Sequence, residues 1–240
     1  MRATIIALFI CLSLVVTAAA QSPVKFGVKG GLALADMTGD GWDDIEASLE
    51  VTADNSFKAG FAGGAFFEMP LGASGLALHP EVLFVMKGSK ADLTSTEDAS
   101  VTVTTKIKQT YLEVPVLLKY NIPTQGQISP NLFAGPYAAF KMSSKIEFED
   151  VPAAAADELT SGDIENAKSV DFGVAFGGGV DFAVGPKSKL TLDVRYSLGL
   201  TDAFDDDNGE DDDKIYLTDD QEKGLKFKNS DIRFMVGFMF

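Results

Sequence analysis

"DIRFMVGFMF" (231–240) ends the chain, and its reading decides the fold. Ile232, Phe234, Val236, Phe238 and Phe240 fall on one parity, while Asp231 and Arg233 fall on the other. A period of two is the signature of a β-strand with unlike faces. Terminal residues ordinarily fray and are polar. A segment this apolar at the end of an acidic chain is instead held in a sheet whose outer face is dry.

Working back from it, the same pattern recurs in "VKFGVKGGLALA" (24–35), "FKAGFAGGAFFEM" (57–69), "LALHPEVLFVMKG" (76–88) and "TYLEVPVLLKY" (110–120). It returns in "PNLFAGPYAAFK" (130–141), "VDFGVAFGGGVDF" (170–182) and "LTLDVRYSLGLT" (190–201). With the last segment these make eight strands, each long enough to cross a bilayer at a tilt, which takes about 9–11 residues. The connections alternate. "PLGASG", "NIPTQGQIS" and "AVGPKSK" are short turn sequences, whereas 36–56, 89–109, 142–169 and 202–230 read as long polar loops. Short turns at one end and long loops at the other mark an outer-membrane barrel. "AAAADELTSGDIENAK" (153–168) could form a helix within its loop. Pro80, Pro115 and Pro136 cannot donate to a ladder and predict bulges or local irregularities.

Charge assigns the faces. The apolar parity, from Val24, Phe26 and Val28 to Phe240, carries no ionised residue, although 23% of the chain is charged. A water-facing surface would not be so composed. The opposite parity holds Lys25, Lys29, Lys58, Lys87, Lys119, Lys141, Arg195 and Arg233 against Glu68, Glu81, Glu113, Asp171, Asp181, Asp193 and Asp231, interleaved with glycines. An eight-stranded barrel has an interior just wide enough to be filled by side chains. Small residues and paired ions suit that volume, so the polar face is the lumen and the apolar face meets lipid. The reading is an all-β, eight-stranded antiparallel up-and-down transmembrane β-barrel. Phe26, Phe67, Tyr120, Phe182 and Phe240 then form an aromatic girdle at the periplasmic boundary. Within the lumen Lys58, Glu81, Glu113, Asp193, Arg195 and Arg233 form the expected ion network, because unpaired charges there would be costly.

The opening "MRATIIALFICLSLVVTAAAQS" has one positive charge, an apolar run, and small residues at Ala18 and Ala20. It predicts a signal peptide over 1–20 and a barrel domain over 21–240. The run is short for a membrane anchor, and no lipidation pattern precedes Cys11. Loss of Arg2 moves the net charge from −15 to −16 and removes the only cysteine, so burial rather than disulfides must hold the exported chain together. The acidic balance excludes nucleic acid as a partner. The partners expected are outer-membrane lipid and lipopolysaccharide, the barrel-assembly machinery, and an envelope protein.

"YLEVPVLLKYN" (111–121) followed by "NLFAGPY" (131–137) is similar to the central hairpin of the PorT-like outer-membrane β-barrel family. "FGVAFGGGVDF" (172–182), "LDVRYSLGLT" (192–201) and the final aromatic strand fit its second half. The resemblance implies an eight-stranded barrel in a Gram-negative envelope and supplies no catalytic residues. The namesake is linked to protein secretion across the outer membrane. Phe240, with aromatics two and six positions earlier, also resembles the signal read by the barrel-assembly machinery.

Few residues offer chemistry. His79, the only histidine, lies early in its strand near the periplasmic turn and has no nucleophile beside it. General-base catalysis therefore has no constellation, and a lumen histidine bonded to Glu81 is expected. The segment 202–222 packs eleven carboxylates against one lysine, and Asp205, Asp206, Asp207, Asp211, Asp212 and Asp213 could offer oxygens to Ca²⁺. An EF-hand register there would place Phe204 first and Ile215 last, and both fail as ligands. "DMTGDGWDDIEA" (36–47) fails at Thr38 and Ala47. A solvated acidic loop is the reading kept, with no cofactor. The function classes are a non-enzymatic surface or envelope protein acting through its loops, an adhesin, a small pore, a rim enzyme, or a soluble lipocalin-like carrier.

Overall fold

The computed structural model describes residues 24–96, 101–152, 159, 161–205, 215, 217 and 225–240. The expected signal peptide lies outside these residues, as do Asp206, Asp207, Asp211, Asp212 and Asp213. In chain order the elements are β1 (Lys25–Thr38), α1 (Gly41–Leu49), β2 (Val51–Ser56), β3 (Lys58–Pro70), β4 (Leu76–Ser95) and β5 (Thr102–Asn121). They continue with β6 (Ile128–Glu149), β7 (Gly162–Asp163), β8 (Val170–Ala183), β9 (Lys189–Gly199) and β10 (Lys228–Met239).

Eight of the ten strands among the described residues close a cylinder in the order β1-β3-β4-β5-β6-β8-β9-β10, all antiparallel. The terminal strand seals it, with Val28 opposite Phe238 and Leu32 opposite Phe234. Following the registers from Gly27 round the cylinder returns to β1 at Met37, a stagger of ten residues. A stagger requires tilted strands, and eight tilted strands leave a core for side chains rather than a channel. Phe61, Phe176, Leu192, Val194, Phe234 and Val236 all point outward and are about half exposed. Lys29, Lys87, Arg195 and Arg233 are buried inside.

The strands run further than the sequence reading placed them. β4, β5 and β6 have 20, 20 and 22 residues, about twice a bilayer crossing. Much of 89–109 and 142–149, read as loop, is therefore sheet that continues beyond the lipid. There β2 adds to β4 and β7 to β6. The helix is also elsewhere. It occupies 41–49, whereas the described residues from 161 to 168 form a short strand, bridges and turns. Asp43 and Asp44 sit in the first turn of α1, where the helix dipole favours anions. The helix stops at Glu50 in the left-handed conformation.

Three irregularities lie at one height, where barrel becomes extension. The pairings of β2 and β3 to β4 differ by one residue, Ser56 with Lys90 but Ala62 with Val85, leaving Phe57 as the extra. β5 and β6 shift register between Thr110 and Tyr111, which places Met142 on the outside. Gly88 of β4 has φ +119°, and a Cβ there would meet the Ile107 carbonyl oxygen at 1.9 Å. Bulges of this kind bend strands at barrel rims. The three together form a collar. The prolines behave differently: around Pro80, Pro115 and Pro136 some ladder pairs are missing, but the register is the same on either side.

Candidate functional site

Below the collar, inward-pointing side chains build two ion clusters. In the lower one the Glu81 carboxylate accepts both terminal nitrogens of Arg195 at 2.7 and 2.8 Å. It also accepts Lys29 Nζ at 2.9 Å, and His79 Nε2 lies 3.1 Å from it. Lys29 reaches on to Asp193 at 3.0 Å. Closer to the short turns, Lys119 bridges Glu68 and Asp181, both at 2.9 Å. In the upper cluster Arg233 forks onto Glu113 at 2.6 and 2.8 Å and also binds Asp231. Lys87 lies 2.9 Å from Glu113 and 3.6 Å from Asp171. The planar guanidinium presents parallel donors to a carboxylate, which is why the two arginines hold the central glutamates.

Among the described residues the buried set holds six cations (Lys29, Lys58, Lys87, Lys119, Arg195, Arg233) against seven carboxylates (Glu68, Glu81, Glu113, Asp171, Asp181, Asp193, Asp231). Near-balance is what a narrow, low-dielectric interior demands. Aromatic rings fill what the ions leave. Lys87 lies 4.3 Å over Tyr137, Lys29 4.9 Å over Phe66 and Arg195 5.1 Å over Phe133. The cation gains from the ring quadrupole, and the ring fills volume. The Tyr137 ring occupies the space a Cβ on Gly173 would need, at 2.4 Å. A lower-lumen cavity lined by Lys29, His79, Glu81, Lys119, Asp193 and Arg195, among others, is only about 10 Å³. That is room on the order of one water, so His79 has no space for a substrate.

Above the collar the interior changes character. Met37, Trp42, Ala91, Ile107, Ile146, Phe204, Leu225 and Phe227 join in a buried hydrophobic cluster. Trp42 meets Phe227 edge-on at 4.9 Å and donates its Nε1–H to the Met37 carbonyl at 3.2 Å. Outside, the same strands carry Lys106 paired with Glu149 at 2.5 Å, Lys108 with Glu147, and Lys90 with Asp92 at 3.6 Å. This folded head covers the end of the barrel opposite the short turns.

Residues 19–205 match the family described as outer membrane protein beta-barrel domain. The chain belongs to that family. Its antiparallel up-and-down barrel, acid- and base-filled within and apolar without, accordingly sits in the outer membrane of a Gram-negative bacterium. Among solved structures it is similar to Neisserial surface protein A, at 13% identity over 90% of this chain and 98% of that one, with a TM-score of 0.44. Ail, the attachment invasion locus protein of Yersinia pestis in complex with the heparin analogue sucrose octasulfate, gives 11% identity over 91% and 100%, with a TM-score of 0.41. The outer membrane protease OmpT of Escherichia coli gives 8% identity over 90% and 94%, with a TM-score of 0.37. Among curated proteins no match is found.

Within this outer-membrane barrel the residues singled out from the sequence divide as follows. Glu81, Asp193 and Arg195 meet in the lower cluster, and Glu113 and Arg233 in the upper. Lys58 stands apart at the collar, where its Nζ donates to the Lys87 carbonyl at 3.0 Å. Lys29, Lys87, Lys119 and Asp231 complete the clusters. Their lumen parity was readable in the sequence, but their partners were not. Phe26, Phe67, Tyr120, Phe182 and Phe240 all lie at the short-turn end, with Phe26 stacked on Phe240 at 5.0 Å. Asp205 is exposed, 3.7 Å from Lys168. The 36–47 segment is split between β1 and α1, and Asp36 accepts from the Met37 amide at 2.7 Å instead of facing a cation site. The head core was missed altogether. Its signal was the alternation of Ile107 with Lys106 and Lys108 and of Ile146 with Lys145 and Glu147, the latter out of phase with the lipid-facing pattern on β6.

Proposed function

We propose that this chain is a non-enzymatic outer-membrane protein, closed to solutes, that acts by contact through its extracellular head. The partner would be an envelope protein or a surface outside the cell. The carrying observation is the lower lumen, where doubly and triply partnered ions leave a cavity of about 10 Å³. Nothing the size of a solute passes such an interior. The head supports the other half of the reading, because a folded, hydrophobically cored extension is a platform rather than a set of slack loops. A cleavable leader over 1–20, membership of the PorT-like branch, insertion by the barrel-assembly machinery through Phe240, and contact of the outer face with lipopolysaccharide belong to the same proposal. The non-enzymatic part rests on His79, which is engaged by Glu81 and walled off from substrate.

Two experiments test it. Purified barrel in planar bilayers should give no unitary conductance, and stable single-channel steps would overturn the closed lumen. A photo-crosslinking amino acid at exposed Thr52 or Thr102 of the head should capture a specific protein or surface component on intact cells. Adducts arising only from lipid-facing Val194 would overturn the role of the head.

A further inference from the structure

We propose that the lower lumen cavity is a built hydration site that holds ordered water as a structural part of the ion network. The cavity is lined by Lys29, His79, Thr191, Asp193 and Arg195, with Glu81, Lys119 and Asp181 beside them. Four atoms of those lining residues are buried without a hydrogen-bond partner in the protein: His79 Nδ1, Thr191 Oγ1, Asp193 Oδ1 and Arg195 Nε. All four residues are more than nine-tenths buried. The other atoms of the same groups are engaged, since Asp193 Oδ2 accepts from Lys29 and the other two Arg195 nitrogens donate to Glu81. A buried polar group left unpaired loses on the order of 1–3 kcal/mol. Four such atoms, on residues that line one cavity, point to a guest.

The chemistry of the four atoms selects the guest. Arg195 Nε–H can only donate, and an ionised Asp193 Oδ1 can only accept. With Nε2–H of His79 directed at Glu81, His79 Nδ1 accepts as well. The Thr191 hydroxyl does either. A cation would satisfy Asp193 and leave Arg195 Nε unpaired, and an anion would do the reverse. Charge already balances locally, with Lys29, Lys119, Lys189 and Arg195 paired against Glu68, Glu81, Asp181 and Asp193. Water both accepts and donates, and about 10 Å³ is the space a single molecule needs. The site ties β9, which supplies Thr191, Asp193 and Arg195, to His79 on β4 across the lumen. The inference deepens the closed-lumen reading, since a bridging water fills the space without opening a path.

The test is a crystal structure of the detergent-solubilised barrel at about 2 Å, together with thermal melting of wild type and Thr191→Val. Valine keeps the shape of threonine but removes the hydroxyl. We expect a density peak within hydrogen-bond distance of Arg195 Nε and Asp193 Oδ1, and a Thr191→Val barrel that melts about 2–4 °C lower, the shift expected when one such interaction is lost in a chain of this size. A hydroxyl with no partner would give the opposite result, because removing it is neutral or stabilising. A cavity empty at a resolution that shows other buried waters, or a Thr191→Val barrel melting no lower than wild type, overturns the inference. Bilayer conductance reads the closed lumen independently, so an empty cavity in a non-conducting barrel would sink the hydration site alone.

Discussion

The two halves of β4 and β5 are built on opposite plans. Below the collar, β5 points Leu118, Val116, Val114 and Leu112 outward and Lys119 and Glu113 inward. Above it, the same strand points Lys108 and Lys106 outward and Ile107 and Val103 inward. β4 repeats the inversion, with Phe84 and Met86 outside and Lys87 inside, then Lys90 and Asp92 outside and Ala91 inside. One hydrogen-bonded ladder serves both, so backbone chemistry does not distinguish them. What changes is the location of water. In the bilayer the dry side is outside, and in the head the dry side is inside. The collar at Phe57, Gly88 and Thr110/Tyr111 is where the sheet leaves one regime for the other.

The contrast can be broken most severely from the lumen. Arg233→Ala removes the fork on Glu113 and the partner of Asp231, leaving Lys87 to serve the upper cluster. Stranding buried charges costs about 3–5 kcal/mol, so the apparent unfolding temperature of the detergent-solubilised barrel should drop further than in any other variant named here. Unchanged melting would show that the lumen ions do not hold the barrel. Arg195→Ala should act in the same direction.

Phe227→Ala attacks the other interior. Removing a buried ring costs about 3–5 kcal/mol, but the loss should be confined to the head. Limited proteolysis is expected to cut between residues 36 and 56 in the variant, while the barrel keeps its heat-modifiable migration on gels. Simultaneous loss of both would show that head and barrel unfold as one unit.

Val194→Lys places a charge on the lipid-facing surface and should destabilise by about 2–4 kcal/mol, as cations do near the bilayer midplane. A tolerated lysine would mean that Val194 does not face hydrocarbon. Gly88→Ala probes the collar, where positive φ and the Ile107 carbonyl leave no room for a methyl group. About 1–3 kcal/mol is expected for strain of this kind, read as lower melting, and an unaffected barrel would remove Gly88 from the collar.

The smallest effect is expected on the outside of the head. The Lys106 ammonium holds the exposed Glu149 carboxyl below its ordinary titration range. A depressed folded-state value means that any contribution of the pair is present above the ordinary carboxylate range and fades as pH falls through it. Lys106→Ala should return the Glu149 titration, followed by NMR, toward its usual value without a detectable change in melting, because exposed pairs contribute little. A clear loss of stability would show the pair to be structural.

The lower half was legible in the sequence because its code is local. The even positions from Val24 to Leu34 and from Ile232 to Phe240 are apolar or glycine, and no charge breaks the lipid-facing parity. The head was illegible for an equally specific reason. The extra residue at Met142 puts β6 out of phase, so that Ser144 and Ile146 face inward where odd-numbered residues did before. Across such a break, a strand reads as a polar loop. α1 was hidden by its length, and its packing on Phe227 joins residues near opposite ends of the chain.

The sequence alone determined eight crossings, their direction and the face each gives to lipid, because a strand's alternation reports its two solvents residue by residue. Only the tertiary structure decided which ions meet, since Glu81 and Arg195 stand 114 residues apart and are brought together by the registers of the closed cylinder. The same closure fixed the collar and the head core. Local pattern records what surrounds a strand, whereas partnership across a lumen depends on how all the strands are staggered at once.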